Sequence, residues 1–158
     1  MIKVFISHQH SDSALARDIE QRLKNTHRID CYLDLIDTNI SDGEDLARYI
    51  KDRLSSCTQL LAVISERTRE SWWVPWEIGV ASEKDYPLAT YAGGSIIPPE
   101  FLKKWPYLRN QQELDYYAEV SKNTAQVLQE RRKVSQESYS RKNSTHDFYN
   151  QLRRKLGQ

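Results

Sequence analysis

Ile2 to Ser7 is a nearly unbroken apolar run of Ile, Val and Phe, the composition of a strand covered on both faces. Ser11-Asp12-Ser13 then offers a helix start, and Leu15, Ile19 and Leu23 recur along one face at i, i+4 and i+8. The alternation repeats. Ile29 to Asp34 predicts a second strand; after a polar loop with Asp42-Gly43 near its end, Leu46, Ile50 and Leu54 predict a second amphipathic helix. Leu60 to Ile64 is continuous and apolar and predicts a central strand. The tryptophan-rich segment after it predicts a third helix from about Val74 to Lys84, with Pro75 in the first turn, where its missing N–H is harmless. Leu88 to Ala92 predicts a fourth strand, ended by Gly93-Gly94.

Three rounds of strand and helix in this order point to an α/β protein with a parallel sheet and helices on both faces. Ligands of such sheets bind at the carboxyl ends of the strands, where Ser7, Asp34, Ser65 and the start of the third helix would gather. Beyond Gly94 the pattern weakens. Pro98-Pro99 and Trp105-Pro106 mark an irregular stretch with a turn of helix at Glu100–Lys104 and no clear last strand, so the sheet is expected to have four or five strands. Glu113 to Val134 reads as helix, with Tyr117, Val120, Val127 and Val134 at roughly helical spacing. Ser135 to Thr145 reads as a turn or linker, and Phe148, Leu152 and Leu156 predict a short last helix. Tyr116, Tyr117 and Val120 need cover, which predicts that this helical part packs on the rest.

With 158 residues, one domain is expected. The net charge of +1 gives no general case for nucleic-acid binding. Charge is uneven, however: residues 1–128 carry 15 basic against 19 acidic side chains, and residues 129–158 carry 8 against 3. The basic end is most simply a solvated helix face. Cys31 and Cys57 match neither a metal spacing nor a disulfide framework and read as small buried thiols. No apolar run is long enough for a membrane span, and the opening residues are already a strand rather than a signal segment; a soluble cytoplasmic protein is expected.

The chemistry concentrates in Ser71-Trp72-Trp73-Val74-Pro75-Trp76-Glu77-Ile78-Gly79-Val80, where one carboxylate stands among three tryptophans. On a helix Trp73 and Glu77 share a face, and the rings would line a cleft in which the carboxylate is poorly solvated. Trp72 is the best choice for a ring spent on the core. Taken alone, Glu77 would be an ordinary carboxylate near a helix start; its association with the Ser7 strand end favours catalysis. His8 and His10 have no evident third metal ligand, and Ser7 lies in no nucleophile elbow. Neither a dinucleotide fingerprint nor a P-loop is present.

These residues resemble the TIR (Toll/interleukin-1 receptor) domain family, most closely its bacterial stand-alone members of anti-phage defence, the Thoeris-like type. Phe5-Ile6-Ser7-His8 with Asp12 is similar to the family's first box, the loop from Leu35 to Asp45 to its BB loop, and Ser71-x-Trp73-x-x-x-Glu77 to its third-helix motif. The resemblance covers about residues 1–110, and Pro75 and Trp76 depart from the usual motif. It implies a flavodoxin-like three-layer TIR fold over residues 1–112; it does not explain residues 113–158, which the helical pattern makes a C-terminal extension packed on or beside that domain.

The resemblance also implies an enzyme that cleaves NAD at the nicotinamide–ribose bond and yields an ADP-ribose-derived nucleotide signal. Glu77 would be the catalytic carboxylate. Phe5, Ser7, His8, Asp34, Trp73 and Trp76 would bind the substrate, with the Phe5 ring stacked on nicotinamide and Asp34 on a ribose hydroxyl. NAD would be a substrate, with no separate cofactor and no metal. The implied partners are a second copy of the chain through loop 35–45, an effector that reads the product and an unknown trigger, without membrane or nucleic acid. Two other readings remain: a TIR interaction module without chemistry, and, less favoured, a nucleoside deoxyribosyltransferase, which shares the layout.

Overall fold

The computed structural model describes residues 1–33, 43–66, 73–93, 96–133 and 141–158; the side chains at 43–47, 50, 73–76, 83, 101, 132 and 133 lie outside the description. The strands are β1 (Lys3–Ser7), β2 (Asp30–Leu33), β3 (Gln59–Ile64), β4 (Leu88–Ala92) and β5 (Tyr107–Leu108). The helices are α1 (Ser13–His27), α2 (Gly43–Ser55), α3 (Trp73–Glu83), α4 (Gln111–Lys133) and α5 (Arg141–Leu156), with single 3-10 turns at His10–Asp12 and Glu100–Lys104. All four strand pairings are parallel, in the order β2-β1-β3-β4-β5. This is the flavodoxin-like order, in which the chain reverses its direction of travel across the sheet between β1 and β3. None of the described helices is long and apolar enough to cross a membrane.

Strand periodicity assigns each side chain to a face. Val4 and Ile6 of β1 join Leu61 and Val63 of β3 in one core, closed by Ile19 and Leu23 of α1, Tyr117 of α4 and Phe148 of α5. Phe5 joins Leu60, Ala62 and Ile64 in the other, closed by Leu54 of α2 and Ile78 and Ala81 of α3. Every residue of β3 is buried, as expected of a central strand. Leu54 occupies the predicted inner face of α2; the side chains of Leu46 and Ile50 are outside the described residues.

The fifth strand is a pair of residues, Thr90 and Tyr91 of β4 facing Tyr107 and Leu108. So short an element leaves no periodicity to read. The last helix differs from expectation in its start. Arg141 to Thr145, read as linker, form the first turn of α5. The reason lies in buried polar residues: the Ser144 hydroxyl donates to the Thr124 carbonyl at 3.5 Å, and the Thr145 hydroxyl to the Asp85 carbonyl at 2.6 Å. Tertiary hydrogen bonds thus hold a turn whose composition looks like a loop. Residues 134–140 are outside the described residues.

Polar ties fasten α4 to the sheet. Arg22 of α1 makes two hydrogen bonds to Asp115, of 2.8 and 2.7 Å, and His27 approaches the same carboxylate at 2.7 Å. Gln59 at the start of β3 is buried, and its side-chain oxygen accepts from the Tyr117 hydroxyl at 2.8 Å and the Ser121 hydroxyl at 3.0 Å. Replacing Gln59 by Leu keeps the bulk and strands both hydroxyls. The expected cost is about 2–3 kcal/mol, read as a lower urea midpoint. Tyr117→Phe added to the Leu variant should recover part of it, because one stranded donor is removed.

Candidate active site

Ser7 is the last residue of β1, and strand alternation puts it on the Phe5 face, toward α3. Glu77 stands in the first half of α3, next to Ile78, which is anchored in the same core. The result is a direct contact: the Ser7 hydroxyl donates to Glu77 Oε2. Both are withdrawn from solvent, with Ser7 at 0% and Glu77 at 1% exposure. The pair sits at the carboxyl end of β1, beside β3, at the reversal of strand order where open α/β sheets place their ligands. A buried carboxylate there is costly unless hydrogen-bonded, and the Ser7 hydroxyl meets part of that need while fixing the carboxylate's orientation.

His8 follows Ser7 and is also buried, its Nδ1 3.3 Å from the Ile6 carbonyl. Since that carbonyl only accepts, Nδ1 carries the proton and Nε2 is the acceptor in the neutral ring. Burial holds the imidazole below the ordinary histidine range, partly offset by the Ile6 carbonyl and the Asp12 charge. Between the lowered native pKa and the ordinary 6.5 the unfolded chain binds more protons, so stability falls as pH drops below 6.5. Comparing urea midpoints at pH 7 and pH 5 should show this loss, with a smaller drop in His8→Asn. Asp12, read from the sequence as a helix start, is itself buried and acts on His8. Its place in the first box was the one available signal.

Of the other expected residues, only the side chain of Phe5 is described. Phe5 has no exposed surface; its ring lies 5.6 Å from that of Tyr32 in the core beneath the site rather than open to a ligand. Residues 34–42, Asp34 among them, are outside the described residues, as are Trp72 and the side chains of Trp73 and Trp76; the Trp73 and Trp76 backbones lie in α3. Cys57 is buried and Cys31 half-buried, both free, and burial pushes the Cys31 thiol up to about 12, far from a nucleophile's range.

The sequence matches the family model of the TIR domain over residues 4–130. The chain belongs to the TIR domain family. The match runs from β1 through most of α4 and includes Ser7, His8, Asp12 and Glu77. The five-stranded parallel sheet flanked by helices is the flavodoxin-like TIR fold expected from the sequence. No curated protein matches this TIR domain at a significant level.

Proposed function

We propose that this TIR domain cleaves NAD between nicotinamide and ribose, with Glu77 as the catalytic carboxylate. The observation that carries the reading is the Ser7–Glu77 pair, a buried, oriented carboxylate at the switch point of the sheet. Family membership supports the substrate class. In the reaction the C1′–N bond breaks and its electron pair stays with nicotinamide, which leaves neutral from a cationic ring and needs no proton. Positive charge develops on the ribose as in glycoside cleavage. Glu77 would stabilise it at close range, in surroundings where screening is weak. Water then gives ADP-ribose and a proton; capture by an atom of the same nucleotide gives a cyclic isomer, and another nucleophile gives a conjugate.

In this reading Ser7 orients the carboxylate, His8 supplies a polar contact, and Phe5 supports the floor. Trp73, Trp76 and Asp34 would complete the cleft, and the segment of residues 35–45, whose last three residues open α2 rather than ending a loop, would meet a second copy. Closure of Glu77 from solvent supports an enzyme that is silent until assembly opens or completes the site. The product would be a signal read by a separate effector in bacterial anti-phage defence, as in Thoeris-like systems.

The test is mass-resolved chromatography of NAD incubated with the purified protein at low and high concentration, and in lysate of phage-infected cells. Nicotinamide is expected, together with ADP-ribose or a product one water lighter. Its absence under all these conditions overturns the proposal. The same burial favours one alternative, a TIR interaction module in which Ser7–Glu77 merely ties α3 to β1. That reading predicts concentration-dependent assembly without nicotinamide.

A further inference from the structure

The opposite end of the sheet, at the amino termini of the strands, carries a groove of about 730 Å³. Its lining comes from Ile2 before β1, Thr58 and Gln59 at the start of β3, and the facing sides of α4 and α5. Three features of this groove point to an anion. Lys122 and Arg141 line it, both exposed, and neither ion-pairs with a carboxylate among the described residues. No Asp or Glu belongs to the described lining. The amino end of the 16-residue α5 also opens there through Arg141, Ser144 and Thr145, adding the partial positive charge of its first N–H groups.

A fourth feature is independent of charge. Gln59 is 96% withdrawn from solvent (4% exposed), and its side-chain oxygen is occupied by Tyr117 and Ser121. Its amide nitrogen has no protein acceptor among the described residues, although it carries two donors in a buried place. Buried amides are normally satisfied, and one that lines a cavity is satisfied by what enters the cavity. Arg141 is steadied at 5.3 Å over the Tyr86 ring, which leaves the edge of its guanidinium for an oxyanion. Ile2 and Leu128 give the groove an apolar side, and its volume lies in the range of small-molecule sites.

We propose that this groove is a second binding site of the TIR domain, for a phosphate-bearing small molecule of nucleotide size. Lys122, Arg141 and the amino end of α5 hold the phosphates. The Gln59 amide donates to a carbonyl, ring nitrogen or hydroxyl of the remainder, which rests on Ile2 and Leu128. The site is remote from Ser7 and Glu77, and it stands whether or not the TIR domain cleaves NAD.

The test is a titration of the ¹⁵N-labelled full chain with ADP, and separately with adenosine, followed by amide chemical shifts. ADP is expected to move Thr58, Gln59, Lys122 to Gln129 and Arg141 to Thr145, with at least tenfold tighter binding than adenosine. Replacing both Lys122 and Arg141 with Gln should weaken ADP at these amides at least tenfold. Both side chains are exposed and only the Arg141 contact with the Tyr86 ring is lost, so the melting temperature should fall by no more than about 2–3 °C. The proposal is overturned if millimolar ADP moves none of these amides, or only those around Ser7, His8 and Ile78. Equal binding of adenosine, or undiminished ADP binding by the double variant, overturns it too.

Discussion

Glu77→Gln is expected to lower nicotinamide release from NAD by about a thousandfold while leaving the fold in place. The amide has the size of the carboxylate, and its oxygen still accepts the Ser7 hydroxyl, so the tie between β1 and α3 survives. The full negative charge is what disappears. A unit charge about 4 Å from the ribose, at an effective dielectric near 20, is worth about 4 kcal/mol, and that corresponds to about three powers of ten in rate. Substrate affinity should change far less than turnover, because the charge acts on the cation that develops as the bond breaks. Single-turnover chromatography of NAD with both proteins separates the two quantities. Circular dichroism melting should place the variants within a few degrees of each other. A Gln variant that retains a tenth or more of the wild-type rate would remove Glu77 from the catalytic role.

Strand and helix periodicity made most of this arrangement readable in advance. Alternation along β1 puts Ser7 on the same face as Phe5, and a parallel β1–β3 pair brings that face under α3. Alternation says nothing about depth, however. Phe5 lies two residues further into the sheet than Ser7, so its ring joins Leu60 and Ile64 in the core, while the hydroxyl at the strand end reaches Glu77. Two elements escaped because periodicity needs length or clean polarity. β5 has two residues, and the first turn of α5 is held by buried Ser144 and Thr145 hydroxyls bonded to distant carbonyls. Gln59 escaped for a related reason. A polar residue at a strand start reads as loop, and only the packing of α4 shows that Tyr117 and Ser121 both donate to it.

Phe148→Ala should cost about 3–5 kcal/mol, a large part of the roughly 5–15 kcal/mol that holds a domain of this kind together. The ring has no exposed surface and meets Tyr117 of α4 edge-on, with centroids 5.8 Å apart and planes at 89°. The Tyr149 ring lies 5.6 Å from it, and Leu152 and Leu156 join it in the core that contains Ile6 and Leu61. Truncation therefore opens a cavity between α4, α5 and the sheet, and the Tyr149 hydroxyl, which accepts from the Leu88 N–H at 3.2 Å, keeps the helix from collapsing freely into it. The melting temperature should fall by roughly 10–15 °C, whereas Arg154→Ala on the exposed side of α5 should move it by little. Such a gap would make α5 part of the cooperative unit formed by the TIR sheet. A Phe148→Ala variant that melts within 2–3 °C of wild type, a shift of only about 1 kcal/mol, would make α5 a separable appendage instead, and loss of far-UV helix signal ahead of the main transition would identify it as one that unfolds on its own.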